Sequence, residues 1–277
     1  MLSALDGYAV LLLVPLMCVP VQRLYLKEGQ RYDLGAGTYV SAGTFFAAIW
    51  SLPADRAVAL RVAGVLFAAL LIVFAVRVLA LTFGRPADFT LVSFGQLWAT
   101  PALIDYELQT VTKASGVPLE PIAFHPLILA SAASAAAAVL GCAIYRTSLP
   151  DRLVALTEAP NQYRLLFGSP GWLALRLELM ALTSFFFAGV LLRLTINDLS
   201  PATFGTEGIW CVLAAAAAAR SAGPFLLAGP LATTVVRFLI KSIVPSRFSS
   251  MAVYGALVLV LVLVISRSKE ASRDAIA

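Results

Sequence analysis

Residues 57–83 read AVALRVAGVLFAALLIVFAVRVLALTF, a run of 27 residues whose only charges are Arg61 and Arg77. As an α-helix this stretch is about 40 Å long at 1.5 Å per residue. A bilayer core is about 30 Å thick, and roughly 20 apolar residues suffice to cross it. A helix that is apolar on every side has no face to give to water, so it belongs in a core or in lipid. This stretch sets the expected fold class, an all-α membrane protein.

Working outward, eight more apolar segments occupy residues 8–21, 35–52, 88–104, 126–145, 172–196, 205–219, 224–244 and 249–265. The expected architecture is a polytopic transmembrane helical bundle of eight or nine membrane segments, with one domain over residues 1–277. Segments 88–104 and 205–219 are short enough to be broken or re-entrant, a form tolerated where protein or a cavity covers the backbone. Composition agrees. The chain is 60% hydrophobic and 13% charged, with a mean hydropathy of +0.89, whereas soluble domains carry about 25% charged residues. A soluble globule of this size needs a polar skin that the sequence does not supply. The first segment is preceded by one charge, Asp6, and lacks both a basic leader region and a small-residue cleavage site. It is expected to be a membrane segment and not a secretory leader.

Lys and Arg gather in cytoplasmic loops, so their distribution predicts orientation. With the N-terminus outside and one crossing per segment, the inner side holds Arg23, Lys27, Arg31, Arg77, Arg85, Arg146, Arg152, Arg164, Arg176, Arg220, Arg267, Lys269 and Arg273. The outer side holds Arg56, Arg61, Lys113, Arg193, Lys241 and Arg247, and Arg237 lies within a segment. Thirteen basic residues against six predict an exterior N-terminus and a cytoplasmic C-terminus. The net charge of +5 is read as this topological bias; no basic-aromatic stripe suggests nucleic acid.

Residues 149–171 form the longest polar stretch on the expected cytoplasmic side. Its leucines 153, 156, 165 and 166 predict a short amphipathic helix outside the membrane, interrupted by Pro160 or with its second turn started there. Such a loop is a natural docking surface. The outer loop, residues 105–125, carries Asp105, Glu107, Glu120 and the lone histidine, His125. These acids have no histidine or basic partner at fixed spacing and read as a solvated loop. His125 has no second histidine or nearby cysteine, so no metal or general-base role is assigned. Cys18, Cys142 and Cys211 lie far apart in apolar segments without CxxC spacing and read as buried packing residues. No nucleotide-binding loop of the form GxxxxGK[ST] occurs, so any ATP that powers this chain is bound by another polypeptide. No catalytic constellation is found, and the chain is expected not to be an enzyme.

The run from Ala130 to Ala138 contains Ser131 and Ser134 among alanines. Small side chains on every face let helices approach closely, and close packing is the default expectation. The alternative is that Ser131 and Ser134 line a polar pathway. Ionisable residues within spans are costly and mark function. Arg77 is expected to snorkel from the inner end of its helix, and Arg193 to pair with Asn197 and Asp198 or to face water. Arg237 stands one turn from Lys241. Its expected behaviour is snorkelling outward, with a substrate-side role toward an anionic group as the sharper hypothesis.

Four stretches carry a family resemblance. They are YDLGAGTYVSAG (residues 32–43), GRPADFTLVSFG (84–95), ALTEAPNQYRLLFG (155–168) and LSPATFG (199–205). They resemble the glycine-rich early segment, the RGRP turn, the cytoplasmic A-x-x-D-N-P-x-x-A-x-x-x-G loop and a late turn of the permease subunits of branched-chain amino-acid ABC transporters, a group that includes urea and amide importers. The resemblance implies an inner-membrane importer subunit that forms the translocation pathway. It implies a second permease subunit, cytosolic ATPase subunits that bind the ATP, and a periplasmic substrate-binding protein as partners. It also places Glu158, Ala159, Pro160, Arg164 and Gly168 in the loop that enters a cleft of the ATPase. The chain departs from the family pattern at residues 30–33, QRYD, and at residues 218–224, AARSAGP. The residues alone also leave open a secondary transporter or channel that works without an ATPase, and a non-transporting membrane partner.

Overall fold

Seven of the nine apolar segments fall largely within the residues that the computed structural model describes, which are 4–27, 34–50, 56–83, 125–195, 201–220 and 226–243. All seven are helical. Segments 88–104 and 249–265, the acidic loop residues Asp105, Glu107 and Glu120, and the basic tail lie outside the described residues.

The first segment is a broken helix. Helix α1, Ala4–Leu13, runs into a 3-10 turn at Val14–Cys18, which feeds α2, Val19–Lys27. Pro15 sits in the first turn of the 3-10 stretch. Proline has no N–H to donate and its ring crowds the preceding turn, so the helix tightens there. Helix α3 is Gly37–Trp50, entered through a 3-10 turn at Leu34–Ala36, and α4 is Arg56–Phe83. Helix α5, Pro126–Tyr145, begins with proline directly after His125, whose extended backbone marks the boundary. Two short helices follow, α6 at Leu149–Glu158 and α7 at Pro160–Phe167. Helix α8 is Gly171–Leu192, closed by a 3-10 turn at Arg193–Thr195. Helix α9 is Pro201–Arg220, longer than the apolar segment 205–219 that announced it, and α10 is Ala228–Ile243. No strand occurs among the described residues.

Four stretches are long and apolar enough to cross a membrane: Gly7–Leu24, Leu60–Thr82, Leu127–Tyr145 and Gly171–Leu192. Glu207–Ala219 and Ala228–Ile240 are shorter apolar helices. Burial separates inner from outer elements. Half of the α1–α2 span is buried, against 22% of the α4 and α5 spans. Helix α4 turns Leu60, Phe67, Leu71, Ile72 and Leu79 outward, a greasy surface that water would not tolerate and lipid accepts.

Helices α3, α8 and α9 form the centre, and the broken α1–α2 segment packs onto α8 and α9. The contact between α3 and α8 is set by two glycines. A methyl on Gly43 would lie 2.8 Å from the carbonyl carbon of Phe186, and one on Gly189 would lie 2.8 Å from that of Val40. Each glycine seats the other helix's backbone, the small-residue contact that packs helices tightly in lipid. Phe46 and Phe186 meet beside this notch with ring centroids 5.6 Å apart.

Several expectations change here. Cys18 and Cys211 are buried, but Cys142 is exposed on α5, because α5 lies at the edge and turns much of its surface outward. For the same reason the run from Ala130 to Ala138 is not packed all round: Ala130 and Ala137 are buried, whereas Ser131, Ala132, Ala135, Ala136 and Ala138 are exposed. The stretch 149–171 is two short helices divided just before Pro160, and its leucines differ in exposure. Leu153 is buried, while Leu165 and Leu166 are 87% and 75% exposed. The physical cause is the break at Ala159, which resets the helical phase between α6 and α7.

Candidate functional site

Three polar features stand out in this apolar frame: two buried ion pairs and the α6–α7 elbow.

The first pair joins α4 to α8. Arg77 and Glu178 are both fully buried. Arg77 donates through Nε to Glu178 Oε1 and through its terminal nitrogen to Oε2 at 3.3 Å. Tyr39 on α3 donates its hydroxyl to the same Oε1 at 2.5 Å, and the Arg77 guanidinium lies 5.1 Å from the centre of the Tyr39 ring. Arg77 therefore does not snorkel. A carboxylate on the facing helix neutralises it, and the tyrosine adds a hydrogen bond and a ring face.

The second pair joins α10 to α9. Arg237 donates both terminal nitrogens to the two oxygens of Glu207, a fork-to-fork arrangement. Both residues are buried. The expected outward snorkelling of Arg237 is replaced by this interhelical pair. The side chain of Lys241 lies outside the described residues, so a joint site with Arg237 has no geometry here. Beside the pair is a small cavity of about 20 Å³ lined by Pro15 of the broken segment, Trp210, Thr233, Thr234, Glu207 and Arg237. Such a volume holds roughly one water. The buried indole Nε1 of Trp210 has no hydrogen-bond partner among the described residues, the condition under which a water is retained.

The two pairs meet through α3. Tyr39 bonds Glu178, while Gly37 and Ser41, on the neighbouring positions, press on Gly208 next to Glu207. Gln22 of α2, Thr38, Ser41 and Thr44 of α3, and Ser184 of α8 are also buried. A polar seam thus runs through the centre of the bundle. Its charges balance, because a lone charge in a bilayer costs several kcal/mol.

The elbow is built by local rules. Pro160 begins α7, where its missing N–H is harmless, and Ala159 adopts φ −141°, ψ 66° between the two helices. Gly168 ends α7 with φ 77°, a left-handed backbone that glycine adopts without penalty, and its N–H donates to the Arg164 carbonyl at 3.1 Å. Tyr163 is buried and anchors α7 against the body. The opposite side presents Asn161, Gln162, Arg164, Leu165 and Leu166 outward.

The predicted loop residues Glu158, Ala159, Pro160, Arg164 and Gly168 are thus brought together in one elbow. Glu158 is the last residue of α6, and Arg164 is exposed in the last turn of α7. The three predicted pathway residues are not brought together. Ser131 faces outward on α5, Ser134 donates to the Leu13 carbonyl at 3.0 Å where α1 enters its 3-10 turn, and Arg237 lies with Glu207. Arg193 is buried and does not face water. Sequence reasoning missed Glu178 and Glu207. Each is the only acid in its apolar segment, and two acids matched by Arg77 and Arg237 were the available signal. No family model, no curated protein and no solved structure matches the chain.

Proposed function

We propose that the chain is the permease subunit of a bacterial ABC importer, set in the inner membrane with its N-terminus outside and its C-terminus in the cytoplasm. Branched-chain or other small amino acids, or amides, are the substrate class. The observation that carries this reading is the elbow: two short helices between the membrane-length helices α5 and α8, anchored by Tyr163 and exposing Leu165 and Leu166 beside Arg164. Exposed leucines on a polar surface favour a protein partner, and the sequence of this element, ALTEAPNQYRLLFG, is the stretch most like the family's ATPase-docking loop. The excess of basic residues on the same side supports a cytoplasmic location.

In this reading the elbow receives the closure of an ATPase that holds the nucleotide, and the helices rock between two arrangements around the pathway. The pathway forms with a second permease subunit, and a periplasmic binding protein delivers the substrate. The chain's own contribution is binding, gating and force transmission, with no covalent step. Co-purification tests it. The wild-type chain should bring an ATPase through a gentle affinity step, and Leu165→Ser/Leu166→Ser should release it without loss of the folded chain. A folded wild-type chain that transports substrate in vesicles without any ATPase overturns it.

One observation favours a second reading. The helix break at Pro15 lies beside the buried Glu207–Arg237 pair and its cavity, and discontinuous helices that frame charged groups are a feature of secondary transporters. Uptake driven by an ion gradient alone would select that reading.

A further inference from the structure

A separate cavity of about 470 Å³ lies under the elbow, within the range of small-molecule sites. Two chemistries divide its wall. Ala143 and Ile144 from the last turn of α5, with Leu173, Leu179 and Met180 from α8, make an apolar side. Arg152 of α6 and Arg176 of α8 supply positive charge, and among the described residues no acidic one lines the cavity.

Both arginines are held by aromatic rings. Arg152 lies 5.1 Å from the centre of the Phe167 ring, and Arg176 lies 5.1 Å from that of Trp172. A guanidinium over a ring keeps N–H groups able to donate. Neither arginine has an ion-pair partner among the described residues. Ser148 and Ser169 add hydroxyl groups to the lining. The position matters as much as the chemistry. The wall comes from the end of the span Leu127–Tyr145 and the start of the span Gly171–Leu192, so the cavity sits at the water-facing edge of the apolar layer. Tryptophan is favoured at that level.

The geometry points to a binding site for an anionic phospholipid: its phosphate is held by Arg152 and Arg176, and its acyl chain lies along Ala143, Ile144, Leu179 and Met180. A soluble phosphate would use the arginines but gain nothing from the apolar wall. A zwitterionic lipid would use the wall but lose part of the charge attraction. The site is built partly from Tyr163 and Phe167 of α7, so a bound headgroup braces the elbow from beneath. It rests on the membrane reading of the helices and not on the importer proposal.

The test is native mass spectrometry of the full chain in detergent, with any subunits that accompany it. The probes are palmitoyl-oleoyl phosphatidylglycerol, the matching phosphatidylcholine and inorganic phosphate. The expected result is preferential retention of phosphatidylglycerol, weakened roughly fivefold by Arg176→Gln and about thirtyfold by Arg152→Gln/Arg176→Gln, as expected for basic groups near an anionic surface. Arg146→Gln, an exposed residue at the same end of α5 that does not line the cavity, should bind as wild type. Arg176 is exposed, so its single variant keeps the test open where the double variant fails to fold. Equal retention of the two lipids, unchanged binding by Arg176→Gln, an equal loss in Arg146→Gln, or displacement of lipid by millimolar phosphate each overturns the proposal. The last outcome reassigns the cavity to a soluble anion.

Discussion

Glu178→Gln should destabilise the folded chain by about 3–5 kcal/mol, the usual cost of removing one partner from a buried ion pair. The structure gives the reason. Glu178 accepts from Arg77 twice and from Tyr39 once, and the side chains of both charged residues are fully buried. Glutamine keeps the shape but not the charge. Its amide group also turns donors toward a guanidinium that can only donate. Arg77 is then a cation inside the bundle with no counter-charge and no route to water. Removing both charges is a different perturbation. Arg77→Met/Glu178→Gln leaves no buried ion and should lie within about 1 kcal/mol of wild type. Arg77→Met alone should cost a similar amount by stranding Glu178, so the two singles and the double form a cycle with a coupling of roughly 5 kcal/mol or more, above the usual range for neighbouring residues. The assay is reversible unfolding in mixed detergent micelles, followed by tryptophan fluorescence and repeated with Thr183→Ala on the exposed face of the same helix. That control should stay within about 0.5 kcal/mol. A Glu178→Gln variant as stable as the control, or a double variant as damaged as the singles, would refute the pairing.

Gly189→Ala should cost about 1–3 kcal/mol through overpacking, since the neighbour it meets is the Val40 backbone and not a movable side chain; thermal unfolding in detergent reads it. Leu165→Ser/Leu166→Ser should leave stability within about 0.5 kcal/mol, because both side chains are largely exposed, while uptake falls in parallel with ATPase retention. Arg237→Met should lower stability by about 3–5 kcal/mol by stranding Glu207. Ser131→Ala should change neither stability nor uptake, because Ser131 faces outward on a peripheral helix.

The helices were legible because apolar length is a strong one-dimensional signal. Residues 126–145 coincide with α5, and Pro126 shows where it starts. The elbow was legible for a similar reason: Pro160 and Gly168 carry their backbone consequences with them, so α7 begins and ends where those residues stand. What failed was anything set by which helix faces which. Arg77 looked like a residue able to reach the interface, since its distance from the helix end was visible and Glu178, 101 residues away, was not visibly opposite it. Arg237 was weighed against Lys241 one turn along, while its partner stood 30 residues upstream on another helix. The serines of α5 suffered the same fate. Their spacing places them near one another, but only packing decides that Ser134 bonds α1 and Ser131 looks outward. Glycine notches fall between these cases. Gly43 and Gly189 are visible as small residues, yet their mutual register appears only when α3 and α8 are laid together.

A photo-activatable cross-linker at position 166 is the most direct probe of the central claim, that the elbow is a cytosolic seat for a motor. In native membranes it should yield an adduct with an ATPase subunit, its yield changing when ATP is added and falling away when Gly168 is replaced by valine. No such adduct from a folded chain, or labelling of the same position by an impermeant reagent from the outer side of sealed vesicles, would contradict it.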